Sequence, residues 1–167
     1  MLMSTSARVT MRNTEKKVLK YYDDGGKGKG NCTWGIGTLA HRGPCTEEEL
    51  ARVVTNADVE REFNARLRVA ELGVARRVKI ALTQDQFDAL VSLTYNLGVQ
   101  GASRVYAKVN ARDFKGAADE ISSLVYGKQV KDGKAVKVLY PGLVRRRAYE
   151  SAPFRDVPAA KLRSAAR

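Results

Sequence analysis

The spacing of apolar side chains changes period once along the chain. In the first part the apolar runs are short and β-like. Lys17-Val18-Leu19-Lys20-Tyr21-Tyr22 and Cys32-Thr33-Trp34-Gly35-Ile36-Gly37 are two extended pieces joined by Asp23-Asp24-Gly25-Gly26-Lys27-Gly28-Lys29-Gly30. Glycines in the connector permit the positive φ of tight turns, so the pair predicts a glycine-turned hairpin in a small β-rich lobe. The segment leading to Glu15 has only Val9 and Met11 as large hydrophobes, too few to mark a helical face.

From Thr46 the period becomes helical. Thr46-Glu47-Glu48-Glu49 is a capping box ahead of Leu50, Val53 and Val54. Val59, Phe63, Leu67, Ala70 and Val74 then recur at three and four on one face, predicting a helix long enough to join two lobes. Thr83-Gln84-Asp85-Gln86 is a second capping box, opening a helix whose Phe87, Leu90, Val91, Thr94 and Leu97 share a face and which Gly98 stops. Phe114, Ala117, Ala118, Ile121, Leu124 and Val125 predict another amphipathic helix. Asp132-Gly133 between two extended pieces is a hairpin signal, and Pro141-Gly142 precedes a last helix from about Leu143 to Ser151. The order implies class α+β, with a small N-terminal β-containing lobe and a larger helical one. One domain over 1–154 is expected, followed by a basic Ala-, Lys- and Arg-rich tail over 155–167 that is expected to fray.

Composition narrows the partners. The chain has 167 residues and 44% hydrophobic content, enough for a core without metals or a disulfide framework. Lys and Arg outnumber Asp and Glu by 30 to 18, a formal charge of +12. Residues 104–167 hold 15 basic and 6 acidic side chains. Such a field favours polyanionic partners: nucleic acid, anionic lipid or bacterial envelope polymer. No recognised nucleic-acid motif accompanies it. No apolar run is long enough for a membrane span or a secretory signal, so the chain reads as cytoplasmic when made. Cys32 and Cys45 stand alone, which argues against structural zinc and leaves a disulfide or two inert thiols.

The single histidine, His41, and the absence of G-x-S-x-G exclude an ordinary Ser-His-Asp hydrolase. A phosphate loop is absent too. Carboxylate chemistry remains, and Glu15, Asp23 and Asp24 cluster around the first extended piece. Glycoside hydrolysis uses such a pair, one carboxyl protonating the leaving oxygen and one ionised to steer water or stabilise positive charge. Solvated loop acids give the same pattern.

Glu15, eight intervening residues and Asp24, then Thr33-Trp34-Gly35-Ile36-Gly37, resemble the signature of the phage-type lysozymes, the endolysin muramidases. Leu82-Thr83-x-x-Gln86-Phe87-Asp88-Ala89-Leu90-Val91-Ser92, closed by Tyr95-Asn96-Leu97-Gly98, is similar to the family's central buried helix. Pro141-Gly142-Leu143-Val144-x-Arg146-Arg147-Ala148-x-Glu150 is similar to its late helix. The chain departs from the family in its longer loop between Asp24 and Thr33, in Lys16 after the glutamate and in Thr38 after the Gly-x-Gly. The longer loop leaves Asp23 as an alternative to Asp24, and His41 is not equivalent to the family's histidine.

The resemblance implies a lysozyme-like fold with the active-site cleft between the lobes. It also implies hydrolysis of the β-1,4 bond between N-acetylmuramic acid and N-acetylglucosamine, with inversion. Glu15 would be general acid, Asp24 and Thr33 would position water, and Asn96 and Tyr22 would contact substrate. No cofactor and no metal are expected. The expected partner is bacterial peptidoglycan, with anionic envelope polymers meeting the basic surface, no nucleic acid, and a monomeric state. The enzyme would act in the periplasm or on the cell wall after holin-type release from the host cytoplasm. Trp34 and Tyr21-Tyr22 read as sugar platforms or as core, with core favoured for Trp34. Of Arg145, Arg146 and Arg147, one is expected to anchor the fold and the others to meet solvent or anionic wall polymer.

Overall fold

The computed structural model describes residues 1–14, 17–131 and 134–155. Within them the chain forms two compact units, one of residues 5–68 and one of residues 1–4 with 69 onward.

The first unit begins with α1 (Thr5–Thr14), where the sequence pattern predicts no helix. Its apolar face is only Ala7 and Met11, one turn apart, while Val9 faces solvent. Polar contacts to α3 (Asn56–Arg77) complete the docking. Arg8 donates to Asn64, Arg12 Nε donates to Glu60 at 2.7 Å, and the Arg12 guanidinium lies 5.8 Å from the Phe63 ring centre. Lys17 beyond α1 donates to Asn56 at 2.6 Å. Partners so far apart in sequence leave no mark on local periodicity.

A three-stranded antiparallel sheet follows, in the order β1 (Val18–Asp23), β2 (Cys32–Gly35), β3 (Thr38–His41). The first two strands are the expected hairpin, and β3 extends it. Cys32 and Cys45 are joined by a disulfide. α2 (Glu47–Ala51) starts at the predicted capping box, with the Glu49 amide donating to the Thr46 hydroxyl and Glu49 accepting from the Thr46 amide. In α3 the predicted stripe of Val59, Phe63, Leu67, Ala70 and Val74 is buried throughout. The helix continues from residues of the first unit into residues of the second.

The second unit is built on α4 (Gln84–Gly101), capped by Thr83 with Gln86 as predicted. Every residue from Gln86 to Thr94 is buried, so this stretch of the helix is enclosed on all sides rather than amphipathic. Helical geometry breaks at Gly98, whose φ of 74° suits glycine. α5 (Ser103–Asn110) has no counterpart in the sequence reading. It is eight residues long, begins at Ala102 without a side-chain cap, and buries only Val105, Tyr106 and Val109. Without a start signal, two turns do not stand out from a loop.

α6 (Phe114–Ser123), N-capped by Asp113, and α7 (Pro141–Arg155) pack together through Phe114 and Phe154. Between them lies a two-stranded hairpin, β4 (Tyr126–Lys131) and β5 (Lys134–Leu139). Its predicted Asp132-Gly133 turn lies outside the described residues, as do residues 156–167 of the expected tail. The amino terminus is tied into this unit: the Met3 amide donates to Glu71, and the Ser4 amide and hydroxyl donate to Asp88. Among the described residues no helix is long and apolar enough to cross a membrane.

Candidate active site

In an antiparallel hairpin, successive side chains point to opposite faces and directly opposed residues share one. Tyr21 opposes Trp34, Tyr22 opposes Thr33 and Asp23 opposes Cys32. The Asp24 amide donates to the Asn31 carbonyl at 3.0 Å, carrying the ladder one pair further. Tyr22, Asp24 and Thr33 therefore share one face, while Tyr21, Asp23, Cys32 and Trp34 occupy the other.

That division separates the two aspartates. Asp23 is used by the loop: one oxygen accepts from the Gly28 amide at 2.6 Å and the other from the Cys45 amide at 2.7 Å, beside the disulfide on its own face. Asp24 is exposed and, among the described residues, is held by Asn31, whose amide N–H (2.7 Å) and side chain (3.2 Å) donate to it. Gly30 makes this grip possible. Its φ is +81°, and a Cβ there would run into the Asp24 carboxylate and the Gly25 backbone. Six loop residues from Gly25 to Gly30 thus serve to return the chain so that Asn31 clamps Asp24.

Thr33 is buried in the sheet, and Tyr22 is half-buried. Burial, then the nearby Asp24 charge, pushes the Tyr22 phenol up from its ordinary value, which keeps it a neutral donor at working pH. An exposed carboxylate, a hydroxyl and a phenol side by side can hold a water or a sugar hydroxyl. Glu15, the sequence candidate for proton donor, falls between α1 and β1 and lies outside the described residues.

Asn96 belongs to the second unit. Its Oδ1 accepts from Arg147, which fixes the amide with its N–H groups available to donate, and the residue is exposed. Arg147 is the anchor expected from the arginine triplet, whereas Arg146, expected to meet solvent or wall polymer, is only 18% exposed and donates to Glu150 (3.0 Å) and the Ser92 carbonyl (3.2 Å). Arg147 is fully buried, pairs with the fully buried Glu150, and donates from Nε to the Leu124 carbonyl at 3.0 Å. The structure thus gathers Tyr22, Asp24 and Thr33 on one hairpin and places Asn96 on α4.

His41 is not part of that face. It bonds Glu49 at 3.0 Å and the Arg42 carbonyl at 3.0 Å, and its neighbour Cys32 is committed to the disulfide, so the three do not make a thiolate metal site. Trp34, favoured as core, is only half-buried, because it stacks beside Tyr21 at the mouth of a pocket and not inside the lobe. Asn31 was missed by sequence reasoning; its position across the hairpin from Asp24 is a signal available once the register is assigned.

A family profile described as "Phage lysozyme" matches residues 12–150. The chain belongs to the phage lysozyme family. Among similar members, the endolysin of Salmonella phage P22 is 30% identical over 152 residues, covering 89% of this chain and 97% of that one. The endolysin of Acyrthosiphon pisum secondary endosymbiont phage 1 is 30% identical over 125 residues, 74% of this chain and 82% of that protein. Among solved structures, the endolysin from Escherichia coli O157:H7 phage FAHEc1 superposes with a TM-score of 0.71 at 28% identity, covering 93% of this chain and 94% of that one. The α+β architecture is that of the lysozyme-like phage endolysins, and family membership makes this chain a peptidoglycan-degrading hydrolase.

Proposed function

We propose that this phage lysozyme is an inverting muramidase that cleaves the β-1,4 bond between N-acetylmuramic acid and N-acetylglucosamine, with Glu15 as general acid and Asp24 with Thr33 holding the attacking water. The observation that carries the reading is the hairpin register, which supports Asp24 and Thr33 as neighbours on one face and assigns Asp23 to the loop. An inverting pair needs room for water, with carboxyls roughly 6.5–9.5 Å apart. Glu15 must hold its proton near neutrality until the leaving oxygen takes it, which requires a desolvated setting.

Asp24 orients the water and takes its proton as the oxygen bonds to the anomeric carbon, while Glu15 gives its own proton to the leaving oxygen. The Thr33 hydroxyl fixes the water's second contact. Tyr22 donates to substrate from the same face, and the Asn96 amide donates from α4. Residues 1–154 act as a single lysozyme-like domain and as a monomer, with the basic surface meeting anionic envelope polymers. The enzyme is made in the host cytoplasm and reaches the wall after holin-type release.

Digestion of purified sacculi tests this. Wild type should release disaccharide-peptides with hydrated reducing ends and, by NMR at early times, the inverted anomer. Glu15→Gln and Asp24→Asn should release none, and Asp23→Asn should retain turnover at lowered stability. Anhydro-sugar ends would make the enzyme a lytic transglycosylase, and the retained anomer would make Asp24 a nucleophile.

A further inference from the structure

On the hairpin face away from Tyr22, Asp24 and Thr33, a pocket of about 280 Å³ opens beside Tyr21 and Trp34. The two rings are half-buried and stacked, with centres 6.0 Å apart and planes 24° from parallel, and both line the pocket. Val54 is buried at its wall and Val53 is 79% exposed at its rim. Small-ligand sites run from about 300 to 1,000 Å³, so this one has room for about one sugar ring.

The polar lining is balanced in charge, Arg52 and Arg61 against Asp58 and Glu62, in a chain that carries +12 overall. Asp58 and Arg61 are already engaged. The Asp58 carboxylate accepts from the Thr55 amide (3.0 Å) and hydroxyl (2.6 Å) and pairs with Arg61. Arg52 and Glu62 remain. The Arg52 guanidinium lies 5.7 Å from the Tyr21 ring centre, and among the described residues neither side chain makes a hydrogen bond. A polyanion would meet Asp58 and Glu62 as well as the arginines, and a purely apolar ligand would leave the hydrogen-bonding groups of Arg52 and Glu62 that it covered without partners. An uncharged pyranose fits both demands, with C–H faces for the rings and hydroxyls for one donor and one acceptor.

We propose that this pocket is a second glycan-binding site, taking one uncharged pyranose ring of a glycan strand on the face opposite the candidate catalytic residues. Binding here requires only that the substrate is a glycan. It is independent of the roles assigned to Glu15, Asp24 and Thr33, so either can fail alone. Its consequence is retention: a strand held at two points dissociates more slowly than one held at the cleaving point only.

Trp34 is the chain's single tryptophan, so its indole N–H gives one unambiguous NMR signal and its fluorescence reports this pocket. Tri-N-acetylchitotriose is titrated into wild type, Arg52→Ala, Glu62→Gln and Asp24→Asn. A saturable Trp34 shift is expected in wild type and in Asp24→Asn, weakened at least about tenfold in Arg52→Ala and Glu62→Gln. Those two surface variants should cleave soluble glycan fragments at wild-type rate and bind less well to sacculi. Two results overturn the proposal: no response at Trp34 by either readout, or a response that Asp24→Asn abolishes and Glu62→Gln leaves intact.

Discussion

Arg147 and Glu150 offer the sharpest test of how the second unit is held. Both side chains are essentially solvent-free: Arg147 bonds Glu150, Asn96 and the Leu124 carbonyl, and Glu150 also accepts from Ser92 (2.6 Å) and from Arg146 Nε (3.0 Å). Replacing Arg147 by Met keeps most of the stem volume and deletes the charge and three donor contacts. Removing one partner of a buried pair costs about 3–5 kcal/mol, because the other is left desolvated. Arg146, 18% exposed, remains beside Glu150, so the lower half of that range is expected. At 2–4 °C per kcal/mol for a chain of this size, the melting temperature should drop by about 6–16 °C. Urea unfolding followed by circular dichroism measures the cost, with Glu150→Met and the double variant completing a cycle. The double variant should cost less than the two singles together, by at least about 1 kcal/mol. A single-variant cost below about 1 kcal/mol, the size of an exposed ion pair, would refute the reasoning, as would simple additivity.

Three further outcomes follow from local geometry. Gly30→Ala, which drives a Cβ into the Asp24 carboxylate, should cut the lytic rate by about 100-fold. Gly26→Ala, with φ of +91° but open space around it, should cost only backbone strain of about 1–3 kcal/mol; equal activity losses in a turbidity assay would count against the clamp. His41, the only histidine, should titrate above the ordinary value of about 6.5, because the Arg42 carbonyl and then Glu49 favour its charged form; Glu49→Gln should lower it part of the way by NMR. The Glu49 carboxyl is held down by Thr46 and then His41. The pair's contribution is therefore greatest between about pH 4.5 and 6.5, fading as pH rises through the His41 value and as it falls through that of Glu49. Asp88→Leu should release Ser4, whose amide and hydroxyl it accepts, at a cost of about 1–3 kcal/mol; unchanged hydrogen exchange at the Ser4 amide would sink that assignment.

The elements legible in the sequence are those whose stabilising groups are close together in it. Thr46 with Glu49 and Thr83 with Gln86 form reciprocal caps three residues apart, and both helices begin where those pairs place them. α3 buries the stripe its period prescribes. α1 was illegible because Arg8, Arg12 and Lys17 find Asn64, Glu60 and Asn56 from about 40 to 56 residues away, a polar docking that no local window contains. α5 lacked a cap, and the sequence marked an anchor among Arg145, Arg146 and Arg147 without showing which one becomes buried.

The hairpin shows why the site was only partly legible. Asp23 and Asp24 stand side by side, and in the sequence only the nine-residue step from Glu15 favours Asp24. Register separates them, because a one-residue step exchanges the faces. Once Tyr22 opposes Thr33, Asp24 must look where Thr33 looks, and Asp23 must look toward the disulfide. The same step sends Trp34 to the far side, where it meets Tyr21 in place of the lobe's core. A single registration therefore decides three assignments: the carboxylate offered to solvent beside Thr33, the one spent on loop geometry, and the aromatic lining of the second pocket. Moving the register by one residue would exchange all three together, so the contrasting behaviour expected of Asp23→Asn and Asp24→Asn bears also on which side of the sheet Trp34 meets its ligand.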